Sequence, residues 1–233
     1  MATRKTSLPT KNHVLAVSAQ LLLTQGYRST TIRQIAEKAD VSVSSVQNFF
    51  RSKEGIITEL TQAMFSGQFS AARRAVDSEL PPVYTYAVET AIQLALTERN
   101  ENLRELYIEA YSIPETMEYI HLRTAGELER IFGDRFPGCE TSDFYELEIG
   151  SAGLMRGYMS RPCDIHFPLR RKIERFLDSS LRIYRVSEEE IAKVLVFVRG
   201  LDLEQITGEM MQRLFTALEA HFDNGSFREA ATA

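Results

Sequence analysis

Ser44, Ser45, Gln47 and Asn48 place four short, uncharged hydrogen-bonding side chains within five positions. Hydroxyls and amides of this kind match the donor and acceptor pattern along base-pair edges in the major groove, where an amide can pair with adenine. Around them stand isolated cations, Arg28, Arg33, Lys38, Arg51 and Lys53, which is the chemistry that neutralises phosphate. Bond-breaking chemistry has no comparable signature. The chain has no G-x-S-x-G elbow, no phosphate-cradling Walker loop and no His/Glu metal spacing. Its two cysteines, Cys139 and Cys163, stand apart without metal-ligand spacing. Neither an enzyme, a metal site nor a cofactor is expected.

The elements that would position these side chains are two short helices and a turn. Thr31 followed by Gln34 forms a capping box, after which Ile32, Ile35, Ala36 and Ala39 share one face. Ser42 is a second N-cap, with Val41 before it able to staple onto Val46. The second helix then covers about 43–50. Val46, Phe49 and Phe50 turn to the core, leaving Ser44, Ser45, Gln47 and Asn48 on the opposite face. A first helix over 10–25 with a stripe of Val14, Val17, Leu21 and Leu22 ends at Gly26, where a left-handed cap is expected. The pattern is a helix-turn-helix that docks on DNA.

Charge is partitioned accordingly. Residues 1–53 hold eight basic and two acidic side chains, a balance of +6, and the whole chain is −5, so residues 54–233 carry −11. A basic end on an acidic body suits phosphate binding by the head alone. With 233 residues, 44% of them hydrophobic, the chain can bury a sizeable core. It has no apolar run long enough to span a bilayer and no apolar signal core, so a soluble cytoplasmic protein with no membrane partner is expected.

Nearly all of the remaining sequence reads as helix, with Gly and Pro at the breaks. From Ser52, an N-cap, a long helix is expected to about Glu79, stopped by Pro81-Pro82. Further helices are expected at 83–99, 101–112, 114–132, 141–160, 168–184, 187–199 and 202–223. Ser142 before Asp143, Pro168 at a first turn and the box Ser187–Glu190 mark three of these boundaries.

On Gly26-Tyr27, Thr30-Thr31, Ile35-Ala36 with Ala39, Val41-Ser42, Val46, Phe50 and Ser52-Lys53-Glu54, the stretch from about Val14 to Ile57 resembles the tetracycline-repressor (TetR) family of bacterial transcription regulators. The resemblance implies an all-α fold. A flexible basic arm over 1–9 would precede a three-helix helix-turn-helix domain over 10–52, and a larger helical ligand-binding and dimerisation domain would occupy 53–233. It also implies a homodimer that reads a pseudo-palindromic double-stranded DNA operator, most simply as a repressor released by a small-molecule effector. The DNA-binding residues would be Thr31, Arg33, Val43, Ser44, Ser45, Gln47, Asn48 and Lys53, the last clamping a phosphate.

The chain departs from the family where Gln47 replaces a usual aromatic, Phe49 a frequent His, and Asp40 a common Gly. Gln47 can read an adenine edge, and Asp40 must tolerate a left-handed backbone. These departures keep open an alternative: an effector-sensing partner or coactivator that does not itself bind DNA.

An effector cavity in the body would be apolar with a few polar anchors. Its candidate residues are Tyr84, Tyr107, Tyr111 and Phe144, from the run of aromatics between Tyr84 and Tyr158. A buried Glu109 would favour a cationic effector, whereas its spacing suits a solvated face. His121 and His166 point to no role. Gly150, Ser151, Ala152, Gly153 and Gly157 form a small-residue helix suited to close approach, either across a dimer axis with the 168–184 or last helix, or inside one subunit.

Overall fold

The structure, a computed structural model, describes residues 8–213 and residue 216. The basic arm around Arg4 and Lys5, the end of the final expected helix and the Ala230–Ala233 tail lie outside the described residues. Among those described there is no strand. The α-helices are α1 (Leu8–Gln25), α2 (Ile32–Lys38), α3 (Val43–Phe50), α4 (Lys53–Ala75), α5 (Pro82–Arg99), α6 (Glu101–Ala110), α7 (Pro114–Phe132), α8 (Thr141–Ser160), α9 (Leu169–Ile183) and α10 (Glu188–Arg199), and helical backbone resumes over 203–213.

The head is α1–α3 with the first turn of α4. Val14, Val17, Leu22, Ile35, Ala36, Val46, Phe50, Ile56 and Ile57 are buried there as one apolar cluster continuous with the body. Burying such side chains is the main force holding short helices that would be marginal alone. The expected caps form. Thr31 accepts from Gln34 N while the Gln34 side chain accepts from Thr31 N, and Ser42 and Ser52 cap α3 and α4. Gly26 closes α1 at φ 84°. Asp40 takes φ 51°, and Val41 N and Asp40 N donate to Ala36 O and Glu37 O, so α2 ends in a Schellman turn.

Gly55 is required by packing. A Cβ there would lie 2.0 Å from Phe50 O, so the close approach of α4 to the end of α3 admits no side chain.

The body is built around α5, which packs against α4, α6, α7, α8, α9 and α10. Every residue from Tyr86 to Thr97 is buried, as for a helix surrounded on all sides. Four expected boundaries shift. The long helix stops at Ala75 rather than near Glu79, because Asp77 Oδ1 accepts from Glu79 N and Asp77 O from Leu80 N, which turns the chain before the prolines. α6 ends at Ala110 rather than 112. The cap of α8 is Glu140, boxed with Asp143, not Ser142. Pro168 is the N-cap of α9 rather than a first-turn residue.

Candidate DNA-binding and effector sites

α3 presents Val43, Ser44, Gln47 and Asn48 to solvent, with Ser45 half-buried beside them. Val43 is 41% exposed, unusual for an apolar side chain and suited to a thymine methyl. Ser42 Oγ lies 2.9 Å from Ser44 Oγ and 2.8 Å from Ser45 Oγ, fixing the hydroxyls at the start of the helix. On α2, Arg33 is exposed and paired with Glu37 at 3.0 Å, a weak surface contact that a phosphate can displace. Thr31 stands exposed at the N-terminus of the same helix.

Lys53 is placed differently from the solvent-facing cations. Its Nζ donates to Tyr27 O at 2.7 Å and Thr30 O at 2.9 Å, and lies 3.9 Å from the centroid of the Tyr27 ring. In this arrangement the ammonium fixes the α1–α2 turn, so any influence on DNA is exerted by positioning Thr31 and α2.

The same turn is tied to the body. Glu105 of α6 accepts from Tyr27 N at 2.7 Å and pairs with Arg28 at 3.3 Å, and Asn102 donates to Leu23 O at 3.0 Å. Two residues beyond Glu105 on the same helix, Tyr107 enters a small cleft between α4, α5, α6 and α7. Leu60, Met64 and Phe65 of α4 face Leu106 and Tyr107 of α6 and its C-cap Tyr111 across it, with Gln68 and Gln93 as polar anchors. Gln68 donates to the Tyr107 hydroxyl.

A second small cavity adjoins this cleft, sharing Phe65, Gln93 and Tyr111, and is lined by Glu89 and Glu148. Burial pushes the Glu89 carboxyl up to about 7 and that of Glu148 up to about 8. Gln93 donates to Glu89, and Ser151 Oγ donates to Glu148 at 2.7 Å.

Of the four aromatics expected at an effector site, the structure brings Tyr107 and Tyr111 into the cleft. Tyr84 packs instead on the Phe197 ring at 5.1 Å, and Phe144 is buried against Phe136 at 5.4 Å; neither lines the cleft or its neighbour. Glu109 is half-buried and outside both cavities. Sequence reasoning passed over Glu89, Gln93 and Glu148. The signal for Glu89 was available, since it interrupts a helix apolar on every side.

Among the described residues no group of three metal-ligating side chains occurs, and no helix is long and apolar enough to cross a membrane.

Residues 14–60 match the family model of the bacterial regulatory proteins, tetR family. The head belongs to the tetR family. It is 42% identical over 52 residues to the uncharacterized HTH-type transcriptional regulator YvkB of Bacillus subtilis (strain 168), covering 22% of this chain and 28% of that protein. It is 32% identical over 73 residues to the HTH-type transcriptional repressor KstR2 of Mycobacterium tuberculosis (strain ATCC 25618 / H37Rv), covering 31% of this chain and 36% of that one. The chain thus spans about a third or less of the length of these curated relatives. A crystal structure of a gamma-butyrolactone receptor (ArpA like protein) is similar at 14% identity and a TM-score of 0.45, over 86% of this chain and 97% of that chain. The described residues are all-α, and the head carries the helix-turn-helix of the tetR-family model.

Proposed function

We propose that this protein is a ligand-responsive, sequence-specific repressor, cytoplasmic, which binds a pseudo-palindromic operator as a homodimer and is released by a small-molecule effector in its body. Residues 10–52 form the DNA-binding domain and 53–233 the sensing and dimerisation domain. Thr31, Arg33, Val43, Ser44, Ser45, Gln47 and Asn48 meet DNA directly, and Lys53 holds their turn in place.

The observation that carries this reading is the course of α4. The helix begins at Lys53, anchored to the head turn, and contributes Leu60, Thr61, Met64, Phe65 and Gln68 to the cleft. From Lys53 to Gln68 it spans about 22 Å as one rigid rod, so an occupant pressing on Met64 or Phe65 tilts the head. α6 supplies a second link, from Glu105 at the turn to Tyr107 in the cleft. Such coupling needs two arrangements of the head that the effector binds unequally.

Homodimer formation is supported by α8. A Cβ built on Gly150, Gly153 or Gly157 meets no atom of the described residues within 4 Å, and Ile149 beside them is 50% exposed. A flat face of this kind suits the same helix of a second copy across a two-fold axis.

The test is selection of random double-stranded DNA by the purified protein at about 150 mM salt, a concentration at which specific binding survives. An inverted repeat is the expected product. A folded dimer that enriches no sequence would overturn the repressor reading in favour of a partner that senses an effector without binding DNA.

A further inference from the structure

The cavity beyond Tyr111 is unusual in what it buries. Glu89 and Glu148 are 3% and 5% exposed, and both line that cavity. Among the described residues no Lys or Arg lines that cavity or the adjoining cleft. A buried carboxyl ordinarily pairs with a guanidinium or ammonium, and this chain makes such pairs elsewhere, as when buried Lys172 donates to Glu98 at 2.6 Å.

A second observation is independent of the carboxyls. His121 of α7 is 5% exposed and its Nδ1 has no hydrogen-bond partner. It faces Glu148 Oε1 at 4.0 Å, too far for a direct bond. Burial lowers its basicity, so it does not supply the missing positive charge. The carboxyls instead receive neutral partners, Gln93 and Ser151, and the hydroxyl of Tyr184 stands 2.7 Å from Ser151 Oγ.

We infer that the effector is a cation, an elongated apolar molecule ending in a protonated amine, with its ammonium received by Glu89 and Glu148 and its tail lying in the cleft along Met64, Leu106 and Tyr107. This rests on reading the cavity as the effector site. A neutral molecule draws no charge–charge attraction from the two carboxyls, and an anionic one meets three acidic side chains, Glu89, Glu148 and Glu127, all of which line the cavity. An ammonium among aromatic faces such as Tyr86 and Tyr111 gains a further cation–π attraction.

Because burial raises the carboxyls to about 7 and about 8, near pH 7 Glu89 is about half and Glu148 mostly protonated, and a bound ammonium shifts the pair toward the ionised form. The other titratable groups facing them are Tyr86, Tyr111, Tyr184, His121 and Glu127, and the tyrosines stay protonated through the neutral range. Amine binding should therefore release about one proton at pH 7.

The experiment compares n-decylamine, decan-1-ol and decanoate by calorimetry on the full chain, in two buffers of different ionisation enthalpy. Expected are an amine bound about tenfold or more tighter than the alcohol, decanoate weakest, and proton release with the amine alone. Glu89→Gln/Glu148→Gln should bring the amine to the affinity of the alcohol and leave the alcohol unchanged. Equal affinity for amine and alcohol, or amine binding without proton release, would overturn the inference on the unmodified protein, whatever the variant does. Binding of none of the three would overturn it too, while the operator selection judges the repressor reading separately. Amine binding as expected that leaves the operator complex intact would sustain the cationic effector and defeat release.

Discussion

Glu105 Oε2 accepts the backbone N–H of Tyr27 at 2.7 Å, so a side chain on α6 holds the peptide that opens the α1–α2 turn. The same carboxylate pairs with Arg28, and Gly26 beside it leaves no room for a Cβ, which would lie 2.8 Å from Glu105 Oε2. Replacing Glu105 by Ala removes a charge-assisted bond from a partly buried N–H, and should lower stability by about 1–3 kcal/mol in urea denaturation. Operator affinity in the absence of ligand should change little, while the loss of affinity caused by a saturating effector should shrink. Full retention of effector response in Glu105→Ala would place the coupling on α4 alone.

Lys53→Ala should weaken operator binding across all sequences without altering its salt dependence, because the ammonium is committed to Tyr27 O and Thr30 O. Arg33→Ala, by contrast, should make the salt slope shallower by about one unit, the signature of a lost phosphate contact. Anisotropy titrations from low to moderate salt distinguish the two. A shallower slope in Lys53→Ala would show that the ammonium leaves the turn for a phosphate in the complex.

Gln47→Ala should relax preference at one base position of each half-site, at a cost of about 1–3 kcal/mol for the preferred operator and less for others. Selected sites that are identical for the variant and the parent would remove Gln47 from base readout.

Stability should fall as pH rises from about 5 to about 8. Glu89 and Glu148 have folded-state values near 7 and 8, above their ordinary carboxylate value of 4.5, so over this range the folded chain holds protons that the unfolded chain has lost. The penalty is absent below the unfolded value and complete above the folded one. Each group contributes up to about 1.4 kcal/mol per pH unit within that window. Glu148→Gln should flatten the dependence, so that the variant gains on the parent at pH 8.5 relative to pH 5.5 in thermal unfolding. A parallel pair of profiles would mean that Glu148 is solvated in the folded protein.

Gly55→Ala should destabilise the head by about 2–4 kcal/mol, since the added methyl meets the Phe50 carbonyl at 2.0 Å and backbone must move. Loss of operator binding with the body still folded is the expected result by circular dichroism and anisotropy.

How legible the molecule was in its sequence depended on whether the signal was local. Capping residues speak for themselves, so Thr31, Ser42, Ser52 and the Pro114–Phe132 helix stand where their types put them. Asp77 was equally local, but its turn competes with helical propensity that continues to Glu79, and only the folded chain decides between them. The recognition face of α3 was readable from a spacing of a few residues. The effector cavity was not, because it is assembled from four helices distant in the chain. Tyr107 and Tyr111 could be named from their positions one turn apart, whereas Tyr84 and Phe144 have the same local character and pack elsewhere. Glu148 was passed over because its burial depends on α7 and α9, which pack on α8 from elsewhere in the chain. Lys53 reads as a cation at a helix start, and nothing in its neighbours announces that carbonyls 23 and 26 residues earlier would claim it.

The uninterrupted course of α4 sets a rule for recombination. A chimera joined between residues 52 and 53 would part Ser52 from the helix that it caps, detach Lys53 from its carbonyls and withdraw Ile56 and Ile57 from the core of the head. The unit that can be exchanged between regulators therefore extends past Ile57, and a graft made there carries with it the angle at which α4 enters the sensing body.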